Sequence, residues 1–398
     1  MKRRLLLVVV AALALLACGS SGDPEFIDLQ LQDVLTAEWI NYKKDKPAAF
    51  GGGLAMEIIS PKGVYFLATA MEPEVSDNSH FRAASCTKTF TAAAIMLLHQ
   101  RGRLNIDDPI TAVIPGTATP YVPETAAFNI RYKSQITIRM LLMHRAGVFD
   151  VANNKLPDTV PPPYGGKNYI DSVLEQDGNH QFTFDELVGV NAAYGLGAAP
   201  GVAYSYTNTG YSILGKIIER VSGKTYGAFV KDELMTPNTL WSSRLPSSGL
   251  DQTLPAPYVE GYGWDGTTFE KVTVSNMSAN VAEGNVITTP AELSFWVYRL
   301  LRGEAGLNKA TVEMMKSGLP STGDATYGLG IVYSPKLGYG HTGAHAGYLT
   351  LMFYLPEKDV SYVLYANVWD FSDGMTSLTK QMEAMGNAAV KVLAKLGY

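Results

Sequence analysis

Two pairs of short apolar runs, one near each end of the chain, constrain the fold more than any other feature. Near the start, Leu54 to Ile59 and Val64 to Ala70 are separated by Ser60-Pro61-Lys62-Gly63, residues that supply the backbone geometry of a tight reversal. Near the end, Tyr348 to Leu355 and Ser361 to Asn367 are joined by Pro356-Glu357-Lys358-Asp359. Strands connected this way run antiparallel. A further β-rich run, Gly328 to Val332, precedes the second pair.

Between and around these runs the apolar spacing is helical. Phe26 to Tyr42 carries Leu31, Val34 and Leu35 on one side. The alanine-rich segment Thr87 to Gln100 closes on Arg101-Gly102, as a buried helix with a glycine cap does. Leu378, Met382, Met385, Ala389, Leu393 and Leu396 follow the 3-and-4 spacing of one buried face. The middle of the chain is richer in Pro and Gly, with helical stretches at Ile138 to Met143 and Tyr211 to Val221; Pro157 to Lys167 is too broken for helix or strand. The fold class is therefore α/β (α+β): an antiparallel sheet flanked by helices, built from residues 26–105 plus 265–398, with a mostly helical inserted domain at 106–264.

The first residues address the chain elsewhere. Lys2, Arg3 and Arg4 precede an unbroken apolar run, Leu5 to Ala17, which has the charged and apolar regions of an export signal and is short for a membrane span. The run ends Leu15-Leu16-Ala17-Cys18-Gly19, which resembles the lipobox of bacterial lipoproteins. The expectation is a signal peptide at 1–17, a lipid anchor on Cys18, a spacer at 18–25, and an exported lipoprotein, periplasmic or at the cell surface, with the membrane as a partner. An ordinary signal peptide cut nearby is the alternative. Cys86 is the second of two cysteines, so no structural disulfide is expected. Loss of residues 1–17 leaves 29 Lys and Arg against 37 Asp and Glu, a net charge of −8, poorly suited to nucleic acid.

Three short motifs carry chemistry. Ser85-Cys86-Thr87-Lys88 opens the alanine-rich helix, where positions three apart share a face, so a hydroxyl and an amine enter one cleft. A partly desolvated lysine at the positive end of a helix is disfavoured as ammonium and can take the hydroxyl proton. The alternative is an N-cap serine beside a solvated lysine; a cation in the first turn opposes the helix dipole, which counts against it. The same spacing recurs at Ser377 to Lys380, with no later motif to complete a site.

The second motif is Tyr206-Thr207-Asn208. In an extended stretch the phenol of Tyr206 and the amide of Asn208 face one space, the first to shuttle a proton, the second to hold a substrate carbonyl. A helix-capping Asn208 with a packed Tyr206 is the plainer reading. The third motif is His341-Thr342-Gly343. Its glycine lets substrate backbone lie against the strand edge, and the amide of Ala344 can join that of Ser85 in an oxyanion hole. His341 as a structural histidine is the alternative. His345 beside it suggests no metal site, since no third ligand is at hand. Neither a metal nor an organic cofactor is called for.

These motifs in this order resemble the family of class C β-lactamases, D-alanyl-D-alanine carboxypeptidases and related esterases. Phe81-Arg82-Ala83-Ala84-Ser85, Thr137 to His144, Gly210 to Gly215 and Tyr327-Gly328-Leu329-Gly330 extend the likeness over nearly the whole mature chain. It implies that Ser85 attacks a carbonyl, Lys88 and Tyr206 manage its proton, Asn208 and Thr342 orient the substrate, the amides of Ser85 and Ala344 hold the oxyanion, and water releases the acyl group. The substrate is then a small molecule or peptide: a D-alanyl peptide, a β-lactam, an ester or a D-amino-acid amide.

The chain departs from that pattern in places. β-Lactamases of this class usually carry lysine where His341 stands, whereas the His form resembles certain carboxypeptidases and esterases, and an imidazole only partly charged near neutral pH gives a carboxylate a weaker attraction. The expectation is a D-alanyl-D-alanine carboxypeptidase or related esterase or amidase and not a dedicated β-lactamase. His144-Arg145-Ala146-Gly147 stands where relatives usually have His-Thr-Ser-Gly, and Glu283-Gly284 where a glycine pair is common. An acid at 283, if it lines the cleft, would repel carboxylates. A non-catalytic lipoprotein that binds wall peptides or a partner through the same cleft is the competing function, since fold alone does not exclude it.

Overall fold

A computed structural model describes residues 24–71 and 74–398. The expected signal peptide and Cys18 lie outside the described residues. Helix α1 (Pro24–Lys43) leads into the first hairpin, β1 (Leu54–Ser60) and β2 (Gly63–Thr69). Strand β3 (Phe81–Ala84) then delivers the chain to α2 (Thr87–Gln100). Helices α3 (Ile138–Leu142), α4 (Tyr169–Leu174), α5 (Phe184–Ala193), α6 (Asn208–Ser222) and α7 (Tyr226–Val230) follow among long loops.

The chain returns through β4 (Tyr262–Trp264), β5 (Phe269–Lys271) and β6 (Val286–Thr288), then α8 (Pro290–Arg302) and α9 (Lys309–Lys316). Short strands β7 (Leu319–Pro320), β8 (Thr326–Tyr327) and β9 (Val332–Ser334) precede the long β10 (Gly338–His345), β11 (Tyr348–Leu355) and β12 (Val360–Ala366). Strand β13 (Val368–Asp370) and helix α10 (Gly374–Lys395) finish the chain.

The main sheet has eight strands in the order β2-β1-β12-β11-β10-β9-β8-β7, every neighbouring pair antiparallel. The pairing of β1 with β12, Leu54 opposite Ala366, closes the two ends of the chain into one sheet. Helices cover both faces. Leu35 and Trp39 of α1 and Val392 of α10 pack on one side with Leu351 and Leu364. On the other side Phe90 of α2 stacks on Trp296 of α8 at 4.1 Å. Strand β12 is buried at every position, which is why it reads as one apolar run rather than an alternation.

The core on the second face continues into the middle of the chain: Ala92 to Leu98, Leu141, Ile213, Leu214, Val286 and Tyr365 belong to one buried cluster. The inserted segment thus shares this core, and it adds a smaller buried cluster of its own around Val151, Phe182 and Leu187. Helix α6 shows why it forms where it does. Thr207 caps it by accepting a hydrogen bond from Gly210 N, and Gly223 ends it in the left-handed region at φ 74°. Burial of Ile213, Leu214, Ile217 and Ile218 stabilises it by roughly 1.5–3 kcal/mol each.

Two expectations need correction. The run Gly328 to Val332 is not one strand, because at Gly330 (φ 71°) the backbone turns in against α2, where an added Cβ would stand 2.3 Å from Ala92 Cβ. The boundary between 264 and 265 cuts the hairpin of β4 and β5; Tyr262–Trp264 belongs with the C-terminal part, since β4 pairs in parallel with β13.

Candidate active site

Ser85 sits at a backbone corner. Strand β3 pairs with β6 through a bulge, Arg82 opposite Ile287 and Ala84 opposite Val286. Ala84 then adopts φ 49°, a left-handed conformation that an alanine holds only when its surroundings compel it. Thr87 compels it. Its hydroxyl donates to Ala84 O at 2.7 Å and accepts Val286 N–H at 2.9 Å. The corner turns Ser85 outward, partly exposed, two residues before α2. Ser85 is not the helix cap: Cys86 holds that position and no side chain caps it.

Lys88 lies one helical turn on and is completely buried. Its Nζ is 3.1 Å from Ser85 Oγ, 2.7 Å from Asn208 Oδ1, 2.8 Å from the carbonyl oxygen of Glu283 and 3.2 Å from Glu283 Oε2. Burial lowers the Lys88 ammonium from its ordinary value, opposed by the carboxylates of Glu283 and Asp150. Burial likewise raises the Glu283 carboxyl, opposed by Lys88. Tyr206 Oη donates to Ser85 Oγ at 2.9 Å. Burial and the negative charge of Glu283 push the Tyr206 phenol well above its usual range, against the bond to Ser85, so it stays protonated.

The structure thus brings Ser85, Lys88, Tyr206 and Asn208 together. Asn208 begins α6 but does not cap it, since Thr207 has that role; its amide oxygen turns to Lys88 instead. Glu283 is 2% exposed, so it stands behind Lys88 and does not line the cleft. Asn280 Nδ2 holds its other oxygen at 2.7 Å. The sequence signal for this role was present, an acid where a glycine pair is common, but the burial that gives it meaning was not.

Behind the nucleophile runs a directed chain of hydrogen bonds. Thr207 N–H donates to His144 Nδ1 at 3.1 Å, which leaves a neutral His144 to donate from Nε2 to Tyr327 Oη at 3.1 Å. Tyr327 then donates to His341 Nε2 at 2.9 Å, and His341 Nδ1 donates to Thr342 O at 2.6 Å. Each ring nitrogen has one partner of the opposite kind, so both imidazoles fit as neutral tautomers. Burial and the charge of Lys88 hold His144 well below its ordinary value and His341 down at about 3. A His341 partly charged near neutral pH is therefore corrected to a neutral one, 2% exposed, that links strands. Sequence reading placed His144 and Tyr327 in family phrases without giving either of them a part in the site.

Strand β10 forms one wall. It pairs with β9 only at Gly338 to Gly340, so the same edge is free of that strand from His341 on, with Thr342 partly exposed and Ala344 exposed. Gly343 has a different reason from the one expected. A Cβ there would lie 2.3 Å from Ala83 O, so the missing side chain lets β10 press against the protein's own corner before Ser85. His345 is neutral too, lowered to about 3 by burial and by Arg82, and its Nε2 is 3.1 Å from Ser275 Oγ. Cys86 is buried and free, its thiol raised by burial. Among the described residues no group of three or more His, Cys, Asp or Glu is placed to hold a metal ion.

The β-lactamase family model matches residues 29–383. The chain belongs to the β-lactamase family. This family is a superfamily of serine hydrolases and contains penicillin-binding proteins. A penicillin-binding protein of Bacillus subtilis (strain 168) is 28% identical over 323 residues, 77% of this chain and 64% of that protein. Penicillin-binding protein 4 of Amycolatopsis lactamdurans is 26% identical over 326 residues, 77% of each chain. The chain thus spans roughly two thirds to three quarters of the length of these relatives. In fold it is similar to a D-stereospecific amidohydrolase from Streptomyces sp., with a TM-score of 0.70, 23% identity, and 90% and 98% of the two chains covered. It is also similar to the D-amino acid amidase of Ochrobactrum anthropi SV3, with a TM-score of 0.72, 20% identity, and 93% and 99% covered.

Proposed function

We propose that this family member hydrolyses an amide or ester through an acyl-enzyme on Ser85. The observation that carries the reading is the Ser85 hydroxyl between a buried Lys88 amine at 3.1 Å and a protonated Tyr206 phenol at 2.9 Å. Lys88 takes the hydroxyl proton as Oγ bonds to the carbonyl carbon, and the carbonyl π electrons move onto its oxygen, facing the amides of Ser85 and Ala344. Collapse expels the leaving group, which takes a proton through the Tyr206 phenol; water then attacks the acyl carbon by the same route in reverse.

Among the candidate substrates, a neutral His341 offers no charge to a terminal carboxylate. This weighs against the D-alanyl-D-alanine carboxypeptidase reading and towards D-amino-acyl amides and esters, in keeping with the amidase named among the similar folds. We further propose export and lipid attachment at Cys18.

The test is intact mass spectrometry of the chain without residues 1–24, exposed in turn to penicillin, a D-amino-acid amide and an activated ester, beside Ser85→Ala. A transient or stable adduct on wild type alone, with product release from the amide or ester, supports the reading. Loss of no reagent by wild type leaves a binding protein, whose ligand affinity Ser85→Ala should preserve. For the anchor, labelled palmitate incorporated by the full chain but not by Cys18→Ser supports it, and an unlabelled wild type ends it.

A further inference from the structure

Lys88 Nζ has three directions for N–H bonds or a lone pair besides its own carbon. Two are committed to groups that only accept, Asn208 Oδ1 at 2.7 Å and the Glu283 carbonyl oxygen at 2.8 Å. The third is contested by Ser85 Oγ at 3.1 Å and Glu283 Oε2 at 3.2 Å. A base for Ser85 needs a lone pair in that third direction, so an ammonium must first part with the proton it holds there.

We propose that Glu283 receives this proton: the third N–H bond of Lys88 breaks, an O–H bond forms on Oε2, and the freed lone pair accepts the Ser85 hydroxyl proton as Oγ attacks. The pair is neutral overall before and after the first transfer, so no net charge is created on two side chains that are both buried. When the leaving group departs it carries off the Ser85 proton, passed from Lys88 by way of Tyr206, and the O–H bond on Glu283 breaks to return its proton to the Lys88 amine. This inference rests on the acyl-enzyme reading above and gives Glu283 a role that acts through Lys88, without contact to substrate.

The surroundings favour the exchange. Both partners are buried, and burial moves each towards its neutral form. Glu283 is held in place by the bond from Asn280 and by Ala282 before it, which adopts φ 70° while its carbonyl accepts from Thr91 Oγ1 at 2.5 Å. The other titratable groups around the pair are Asp150 from the loop after α3, Tyr206 and Tyr211 around the start of α6, Tyr226 on α7 and Cys86 at the cap of α2, with neutral His144 and His341 beyond. Asp150 is engaged elsewhere, its oxygens taking Ala152 N–H at 3.1 Å and Asn153 Nδ2 at 2.8 Å. The tyrosines and Cys86 are all raised by burial and keep their protons. Glu283 alone of these meets Nζ through a carboxylate oxygen.

The second-order rate of Ser85 acylation by p-nitrophenyl acetate, checked by intact mass, is measured from about pH 5 to about pH 10. Wild type, Glu283→Gln and Asn280→Ala are compared. With Glu283→Gln the third proton must leave to solvent, so the acid limb moves up by about one pH unit or more. Relative to its own alkaline plateau, the rate of the variant then falls at least about tenfold further than that of wild type at the acid end. Asn280→Ala removes a bond that favours the carboxylate, so the limb moves the same way by less; this variant decides the matter if Glu283→Gln does not fold. An equal loss at every pH, or no loss, overturns the inference while the hydrolase reading stands. A wild type without Ser85-dependent acylation at any pH overturns both.

Discussion

Tyr327 Oη lies 2.9 Å from His341 Nε2, and this bond joins the strand of the third motif to the turn that carries Tyr206. His144, at the other end of the link, also lies against the Tyr206 ring, centroids 4.2 Å apart. Tyr327→Phe keeps the ring and removes the bridge, leaving an imidazole N–H and an imidazole lone pair buried without partners. A loss of about 2–5 kcal/mol of stability is expected from these two groups. A Tyr206 that is less well held should slow acylation about tenfold or more. Urea unfolding and acylation rates check both; an unchanged rate with lowered stability would reduce the bridge to scaffolding.

His345 gives a pH dependence that one substitution isolates. Its folded pKa, about 3, is below the unfolded value near 6.5, so below about pH 6.5 the unfolded chain binds the extra proton. Its neutral state is thus costless above about pH 6.5 and weakens the fold progressively as pH falls towards 3. His345→Gln carries no such proton. Relative to wild type it should gain up to about 1.4 kcal/mol per pH unit on going from pH 6.5 down to pH 5. Urea midpoints at about pH 5, 6 and 7.5 measure the difference, and a gap that does not change with pH would contradict the assignment.

How far the sequence could be read depended on whether a feature is local. The limits of α2 were legible because its apolar segment is long and ends in Arg101-Gly102, and the paired strands β11 and β12 because a turn joins them. Ser85, Lys88, Tyr206 and Asn208 could be named from spacing and resemblance, and the structure brings them within hydrogen-bond reach of one another. What stayed hidden depends on burial. No pattern tells a charged His341 from one sealed between Tyr327 and Thr342, nor an acid that lines a cleft from Glu283 behind Lys88. The role of Gly343 was misjudged for the same reason, since the atom it makes room for, Ala83 O, is far away in sequence.

Glu57 offers a test of buried charge away from the reaction centre. It lies on β1 between Phe66 of β2 and Val363 of β12, 1% exposed, and its Oε2 has no hydrogen-bond partner. Burial, with a smaller contribution from Asp77, raises its carboxyl to about 8. A raised acid contributes stability that is fully present below its unfolded value near 4.5 and is lost as pH rises through 8. Glu57→Gln removes that loss, so the variant should gain on wild type by a few kcal/mol between about pH 5 and pH 9. Thermal or urea midpoints across that range decide it; equal slopes would mean that the carboxyl is already ionised or finds a partner in solution.

Gly343→Ala separates the assembly of the site from the stability of the fold. The added methyl would have to stand 2.3 Å from Ala83 O and 3.3 Å from Ala84 Cβ, both on the corner that presents Ser85. Neither a backbone oxygen nor an alanine Cβ is the end of a flexible side chain that could yield, so β10 must move away or the corner must open. Either shift widens the distance between Ser85 and the amide of Ala344, where the oxyanion forms under the proposed reaction. Loss of one such donor costs about 100-fold or more in rate. The sheet itself keeps the β10–β11 register from Tyr339 to His345, so the stability loss should stay within about 1–3 kcal/mol. Acylation rate and urea midpoint on the same preparation give the comparison. A variant that is as active as wild type would show that the corner and β10 are not held together as the geometry requires, and one that loses stability and rate together would make Gly343 a folding residue first.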